Sequence, residues 1–576
     1  MKSTSEIPSA GSPARGFVFG SLEPEARRGF LVQLVIVFLI SCLVLAAGMS
    51  RRPGMFDEGI TLTGAMRVAA GQVPHRDFYF LYGPAEVYIL AGLFKVFGPS
   101  LLVERLFDLL LKGLIVTSVY AIALSYTRRS IAIFVSIVTV MWLFGSIGWG
   151  SATTPVSPLN LIGSALILPV FAGRLSTGRM LAAGAISGAA ALFRHDTGIA
   201  LLGIHACVIS IAVYLQFTGT ANRLRIFAST FWPYLLGFAL LTVPPALYYF
   251  SVAPLAPLVH DVILYPGKYY RSDRGLPFPA INLKGLENLG VYLPIAIACV
   301  TLYILVRSFS RARGHAASGA ESIPREDAWR GFLITFGLLL AVMYVKGLVR
   351  VSPGQVHLAV IPSLLLIAVL FQQRLAFPRP LRITIDSLML LSLVAAAWSS
   401  LHEMRMEYAE HLSAGEWALS SAPDSPLKTS AAWCKIASPL TRGFCFLPED
   451  DRIRAIEFIS SHTGPGQSLY SGLKHHDRIF ANDDLIYFAT QRLPATHWSQ
   501  LDPGLQTSYD TQTQMIHELE RNAPPYIVLD SEFDLTREPN DSAKSSGVTL
   551  LDDYIRDKYQ PVETFGIMSI RRRGSP

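Results

Sequence analysis

Residues 30–59 read FLVQLVIVFLISCLVLAAGMSRRPGMFDEG. The run from Phe30 to Gly48 carries no charge and is long enough to cross a hydrocarbon layer, for which about 20 residues suffice. Two arginines follow it, and then Asp57-Glu58. Carboxylates placed where a helix leaves the bilayer stand at the level of lipid headgroups, so this stretch points at once to a membrane protein and to where its chemistry lies. Arg27-Arg28 before the run and Ala46-Ala47-Gly48 at its end resemble a secretory signal, but its length and the 29-residue tail ahead of it predict an uncleaved anchor.

Composition agrees. With 51% hydrophobic and only 16% charged residues, the chain is excluded from the ordinary soluble enzymes. Apolar runs predict about eleven crossings, at 30–48, 107–126, 131–149, 156–173, 180–193, 197–216, 229–250, 288–306, 331–345, 356–372 and 383–399. The segment 86–98 is too short to count and reads as interfacial or re-entrant. Cytoplasmic loops hold an excess of Arg and Lys. With residues 1–29 as a cytoplasmic tail, the inside loops carry Arg128-Arg129, Arg174 with Arg179, Arg223 with Arg225, the cluster Arg307 to Arg330, and Arg374, Arg379 and Arg382. The alternation is unbroken, and an odd number of crossings puts everything after Ser400 outside.

The fold class expected is therefore a polytopic α-helical membrane domain, 30–400, with a first outer loop at 49–106 and an extracytoplasmic soluble α/β domain at 401–576. In that last domain the pattern predicts helices at 450–461, 511–521 and 550–558 and strands at 468–471, 526–530 and 562–571. Cys42, Cys207 and Cys299 lie in apolar runs and read as packing residues. Cys434 and Cys445 are the outer domain's only pair, and an oxidising compartment permits them to bridge or to stay free.

The outer loops hold the candidate chemistry. Arg51-Arg52 run against the inside bias, which an anionic lipid phosphate would explain. Asp57 is either a reactive carboxylate or the cap of a helix starting at Glu58. Further along the first loop come Arg76-Asp77-Phe78 and Tyr82-Gly83-Pro84. Arg194-His195-Asp196 fall at a membrane boundary, where three ionisable groups are costly; they form either a functional site or a self-paired turn. Lys268-Tyr269-Tyr270-Arg271 interleave cations with rings, suiting phosphate and sugar or an ordinary aromatic belt. Lys346, Arg350 and His357 complete the set as a possible anion clamp.

These features together resemble the polytopic glycosyltransferases of the GT-C superfamily, especially the branch related to protein O-mannosyltransferases, the lipid A aminoarabinose transferase and RgtA/B/C/D-like proteins. The likeness covers most of residues 20–400. It implies transfer of a sugar from a polyprenyl-phosphate donor to a lipid, glycan or protein acceptor at the outer face of the cell membrane, with no nucleic acid partner, no cofactor and no required metal. Mapped onto this chain, Asp57 is the general base and Glu58 supports it or orients the acceptor. Arg194, Lys268 and Arg350 neutralise the departing phosphate, and His195 and His357 position or protonate it. Arg76, Asp77, Tyr82, His195, Asp196 and Tyr269 contact substrate. A lipid-linked glycan flippase, or a polysaccharide ligase or polymerase, is the competing class.

Overall fold

The structure is a computed structural model that describes residues 24–49, 53–217, 219–283, 285–317, 324–419 and 451–574. Arg51-Arg52 and Cys434 and Cys445 lie outside the described residues.

The chain is a bundle of apolar helices capped by a small α/β layer. In order come α1 (Pro24–Ala47), α2 (Asp57–Ala69), α3 (Ala85–Phe97), α4 (Leu101–Tyr126), α5 (Arg129–Ser146), α6 (Val156–Ile167), α7 (Thr177–Phe193), α8 (His195–Gln216) and α9 (Thr220–Val252). They are followed by α10 (Leu255–Val259), α11 (Tyr265–Asp273), α12 (Leu289–Ala317), α13 (Pro324–Gly347), α14 (His357–Gln373) and α15 (Arg379–Leu419). All eleven apolar runs are helical. Nine of the described helices are long and apolar enough to cross a membrane, whereas 156–172 and 177–193 are shorter. The chain is a multi-pass membrane protein.

Helices in lipid gain little from hydrophobic association with one another, so close approach of small residues matters more. The α7–α9 pair shows it: a Cβ on Gly184 would lie 1.9 Å from the Tyr234 carbonyl oxygen, and one on Gly237 would lie 2.0 Å from that of Leu181. On α1, Leu31, Val35, Ile36, Leu39 and Leu43 stay exposed on the protein surface, as an anchor bathed in lipid requires.

Between α1 and α4, the connection at 49–100 contains the α2–α3 hairpin, so 86–98 is a helix within that loop. The cap above it contains α16 (Asp451–His462), α17 (Leu485–Thr490), α18 (Tyr509–Asn522) and α19 (Leu550–Lys558), with strands β1 (Tyr470–Leu473), β2 (Tyr526–Asp530), β3 (Tyr559–Phe565) and β4 (Met568–Arg573). The sheet order is β1-β2-β4-β3, with β1 and β2 parallel and the other pairs antiparallel. The expected strand at 562–571 is in fact a hairpin, because Gly566 at φ +51° turns the chain back between β3 and β4. Pro561 is tolerated since β3 is an edge strand.

Two observations revise the expected domain boundary. Residue 401 falls inside α15, which continues to Leu419. The cap also shares a core with the first loop, where Leu62, Met66, Leu90 and Phe94 pack with Ile456, Leu485, Phe488 and Val528. Burying each such side chain contributes roughly 1.5–3 kcal/mol. Polar contacts fix the register of this seam: Thr63 Oγ1 donates to the Asp484 carbonyl at 2.8 Å, and the Asp484 amide donates to the Met55 carbonyl at 3.0 Å. Gly59 is required there, since a Cβ would sit 2.7 Å from the Leu485 amide nitrogen.

Candidate active site

Asp57 is the first residue of α2, where the helix dipole favours a negative charge. Its side chain is open to solvent, and among the described residues no protein group hydrogen-bonds its carboxylate. Protein nevertheless surrounds it closely enough for burial to push its pKa above the ordinary carboxylate range. Arg274 pulls the value down, Asp502 pushes it further up, and Arg350 and Arg194 pull it down again. Asp57 thus opens onto a region, the recess, whose nearby charges include three arginines and Asp502.

Each arginine is delivered by a different element. Arg194 occupies the break between α7 and α8, where Gly198 is needed because a Cβ would meet Ala191 at 2.3 Å. Its guanidinium grips Asp196 at 3.2 and 3.0 Å, and Lys346 at the end of α13 reaches the same carboxylate at 2.8 Å. The Tyr82-Gly83 turn docks on this break, with the Gly83 amide donating to the Phe193 carbonyl at 3.0 Å. A Cβ on Gly83 would collide with the Leu192 carbonyl at 2.2 Å. Tyr82 consequently lies under Arg194, 5.3 Å from its ring centroid. Burial raises the Tyr82 pKa, and the Asp57 charge raises it further, so the phenol stays protonated.

Arg274 follows α11, lies 5.3 Å from the Phe56 ring centroid and pairs with Asp502 of the cap. Burial disfavours its charge, but Asp502, with Tyr270 and Tyr265, outweighs this and raises its pKa. Asp502 also accepts from Tyr79 at 3.1 Å and from Gln500 at 2.7 Å. Arg350 donates to the Arg274 carbonyl at 3.2 Å and forks onto Glu538 of the cap at 2.8 and 2.6 Å.

Glu58 points elsewhere. It is buried and held by Arg105 of α4 at 2.6 and 2.8 Å, while the Gly54 amide donates to it at 2.5 Å. These contacts anchor the N-terminus of α2 and turn Glu58 toward α4 rather than toward Asp57's surroundings. Beneath it, Lys112 is sealed between Asp108 at 3.0 Å, the Ile147 carbonyl at 3.2 Å and the Trp149 ring at 3.9 Å.

The remaining expected residues divide in the same way. Tyr82, Arg194, Asp196 and Arg350 gather around the recess. Tyr269 is near it through the cap, packing on Tyr265 and against Gly504. Lys268 lies exposed, 4.7 Å from the Tyr269 ring centroid and paired with no carboxylate among the described residues. Arg76 and Asp77 pair with each other, and Asp77 accepts from the Val73 amide at 2.7 Å; both are occupied in closing their turn. His357 is fully buried at the start of α14, bonded to Ser157 at 3.1 Å and the Gly354 carbonyl at 3.2 Å, so its ring is engaged by the protein. His195 is half-buried beside Asp196.

Sequence reasoning missed Arg274, Asp502 and Glu538. Arg274 had a readable signal, a cation just beyond the aromatic run at 265–270. The two cap carboxylates had none.

No family model matches the sequence, and no curated protein matches it. Among solved structures, the chain is similar to ArnT from Cupriavidus metallidurans bound to undecaprenyl phosphate, at 13% identity over 96% of this chain and 100% of that chain, with a TM-score of 0.47. The apo form of the same protein gives 14% identity, the same coverage and a TM-score of 0.48. An Archaeoglobus fulgidus oligosaccharyltransferase complexed with zinc and sulfate gives 13% identity over 86% of this chain and 68% of that chain, with a TM-score of 0.43. Likeness at this level carries no functional argument, which rests on the recess itself.

Proposed function

We propose that this chain is a membrane glycosyltransferase of the GT-C type, moving a sugar from a polyprenyl-phosphate donor to an envelope acceptor on the outer face of the cell membrane. The observation that carries the reading is one carboxylate, Asp57, without a hydrogen-bond partner among the described residues and within electrostatic reach of Arg274, Arg350 and Arg194. Asp57 accepts the proton of an acceptor hydroxyl as that oxygen bonds to the anomeric carbon. The bond from the anomeric carbon to the phosphate oxygen breaks, and the electron pair leaves on the polyprenyl phosphate. Arginines beside that oxygen stabilise charge as it grows. A raised pKa suits the base, because proton transfer is most efficient when the pKa approaches the working pH. Tyr82 and Tyr270 supply ring surface for the sugar.

A flippase would place its ionisable groups along a path near the membrane midplane. The grouping of these charges at helix ends and beneath the cap favours transfer chemistry instead. The test is single-turnover sugar transfer in reconstituted membranes. Asp57→Asn should abolish most transfer while donor binding survives, and undiminished transfer would end the proposal.

The same reading requires the recess to face outward. A reporter active only outside the cytoplasm should be active when fused to the C-terminus and silent in the 307–330 loop. The reverse pattern would place the site on the wrong side for a polyprenyl-phosphate sugar.

A further inference from the structure

Around Asp57 the described residues set four cations, Arg194, Arg274, Lys346 and Arg350, against four carboxylates, Asp57, Asp196, Asp502 and Glu538. A phosphate entering this cluster adds negative charge where each of the four cations, among the described residues, already holds a carboxylate. The phosphate competes with a carboxylate for its cation, and the four carboxylates differ sharply in how firmly they are held. Asp196 serves two cations and also accepts from the Thr197 amide at 2.7 Å. Asp502 is buried and bound by Arg274, Tyr79 and Gln500. Asp57 has no hydrogen-bonding partner to leave. Glu538 is held only by Arg350 and by Asn540 at 2.9 Å. It sits in the connection after β2, a segment whose Leu535 is 89% exposed and whose Arg537 donates only to carbonyls within the segment.

We infer that Glu538 is a displaceable stand-in for the donor's phosphate. Its carboxylate fills the Arg350 fork in the ligand-free chain, and an incoming phosphate takes the fork and drives the 531–540 segment away from the recess. The two oxygens at 2.6 and 2.8 Å have the parallel geometry with which a guanidinium binds phosphate as readily as carboxylate. Asn540 holds Glu538 in this position and ties the segment to the Gly275 carbonyl at 3.0 Å, next to Arg274. The cap thereby senses whether the site is filled. This inference rests on the donor reading above.

The test is binding of a polyprenyl phosphate, the corresponding polyprenol and inorganic phosphate to the full-length protein in lipid nanodiscs. Glu538→Gln removes the competing charge and should tighten polyprenyl phosphate by about tenfold, leaving the polyprenol unchanged. Asn540→Ala, which only loosens Glu538, should act in the same direction by a few-fold. Equal tightening for inorganic phosphate would show that the fork reads phosphate irrespective of the lipid, and supports displacement. If the wild type and Arg350→Ala behave as the donor reading requires but both cap variants bind no more tightly than wild type, the stand-in is overturned alone. If the wild type prefers polyprenyl phosphate no more than polyprenol, the donor reading falls and the stand-in with it.

Discussion

Asp57 and Glu58 are adjacent carboxylates at one helix N-terminus, yet they live in opposite surroundings. One helical residue turns a side chain by about 100°. That rotation leaves Asp57 exposed with no hydrogen-bond partner among the described residues, and sends Glu58 into the bundle, where Arg105 and the Gly54 amide hold it. The recess is a place where charge is left unsatisfied for a substrate to complete. In the sealed cluster of Glu58, Glu104, Arg105, Asp108 and Lys112, Arg105 pairs with Glu58 and Lys112 with Asp108, and the first pair holds α2 against α4. Reactivity and support are thus separated by one residue, and each can be disturbed without the other.

The largest expected effect separates them most cleanly. Asp57→Asn should lower single-turnover transfer by about 10²–10⁴-fold, the usual loss when acid–base assistance is removed. Stability should move the other way. Because burial raises the folded pKa of Asp57 above its unfolded value near 3.9, its favourable contribution is present below the unfolded value and is lost as pH rises through the folded one. At neutral pH the charged carboxylate is a cost, so the Asn variant should melt at the same temperature or higher. A clear drop in melting temperature would show that the charge itself stabilises the fold, whereas a mere helix cap would leave both stability and transfer nearly intact, since Asn caps as well as Asp.

Glu58→Gln should do the converse. Removing the carboxylate charge that pairs with buried Arg105 costs about 3–5 kcal/mol, read as a lower denaturation midpoint in detergent. Transfer per folded molecule should persist, and loss of transfer at unchanged stability would return Glu58 to the chemistry.

A smaller effect is expected at the seam that holds both regions under the cap. Gly59→Val forces α2 away from the Leu485 backbone and should cost about 1–3 kcal/mol. Hydrogen exchange at 484–490 should rise with it; unchanged protection would mean the cap does not depend on this contact.

The smallest effect sharpens the electrostatics of the recess. The acid limb of kcat/KM should lie above the ordinary Asp value of about 3.9. Asp502→Asn removes a charge that raises the Asp57 pKa and frees Arg274 to lower it, so the limb should move to lower pH, by about one unit or less. A shift to higher pH would assign the limb to another group.

Much of this was legible in residues 30–59. The apolar run, the charge alternation and the Asp-Glu pair reveal the helices and the location of α2, because length and hydrophobicity are local quantities. Tyr82, Arg194 and Arg350 were legible for a related reason: polar groups at helix ends are conspicuous against an apolar background. The same contrast misled at His357, which is polar in sequence but buried by its hydrogen bonds to Ser157 and the Gly354 carbonyl. Hydrophobic alternation across 562–571 could not reveal the β3–β4 hairpin, since Gly566 costs one turn without interrupting the pattern.

What the amino-acid sequence determined by itself is the solvent of each segment: which stretches lie in hydrocarbon, which in water, and that a carboxylate pair stands where the two meet. What only the tertiary structure decided is which carboxylate of that pair is free, and which charges surround it. Asp502 and Glu538 reach the recess from more than 440 residues away along the chain, through a cap seated on α2 by the Gly59 and Thr63 contacts. Burial and charge pairing act through space at distances of a few ångströms, and no pattern along the chain encodes which distant side chains will share that space.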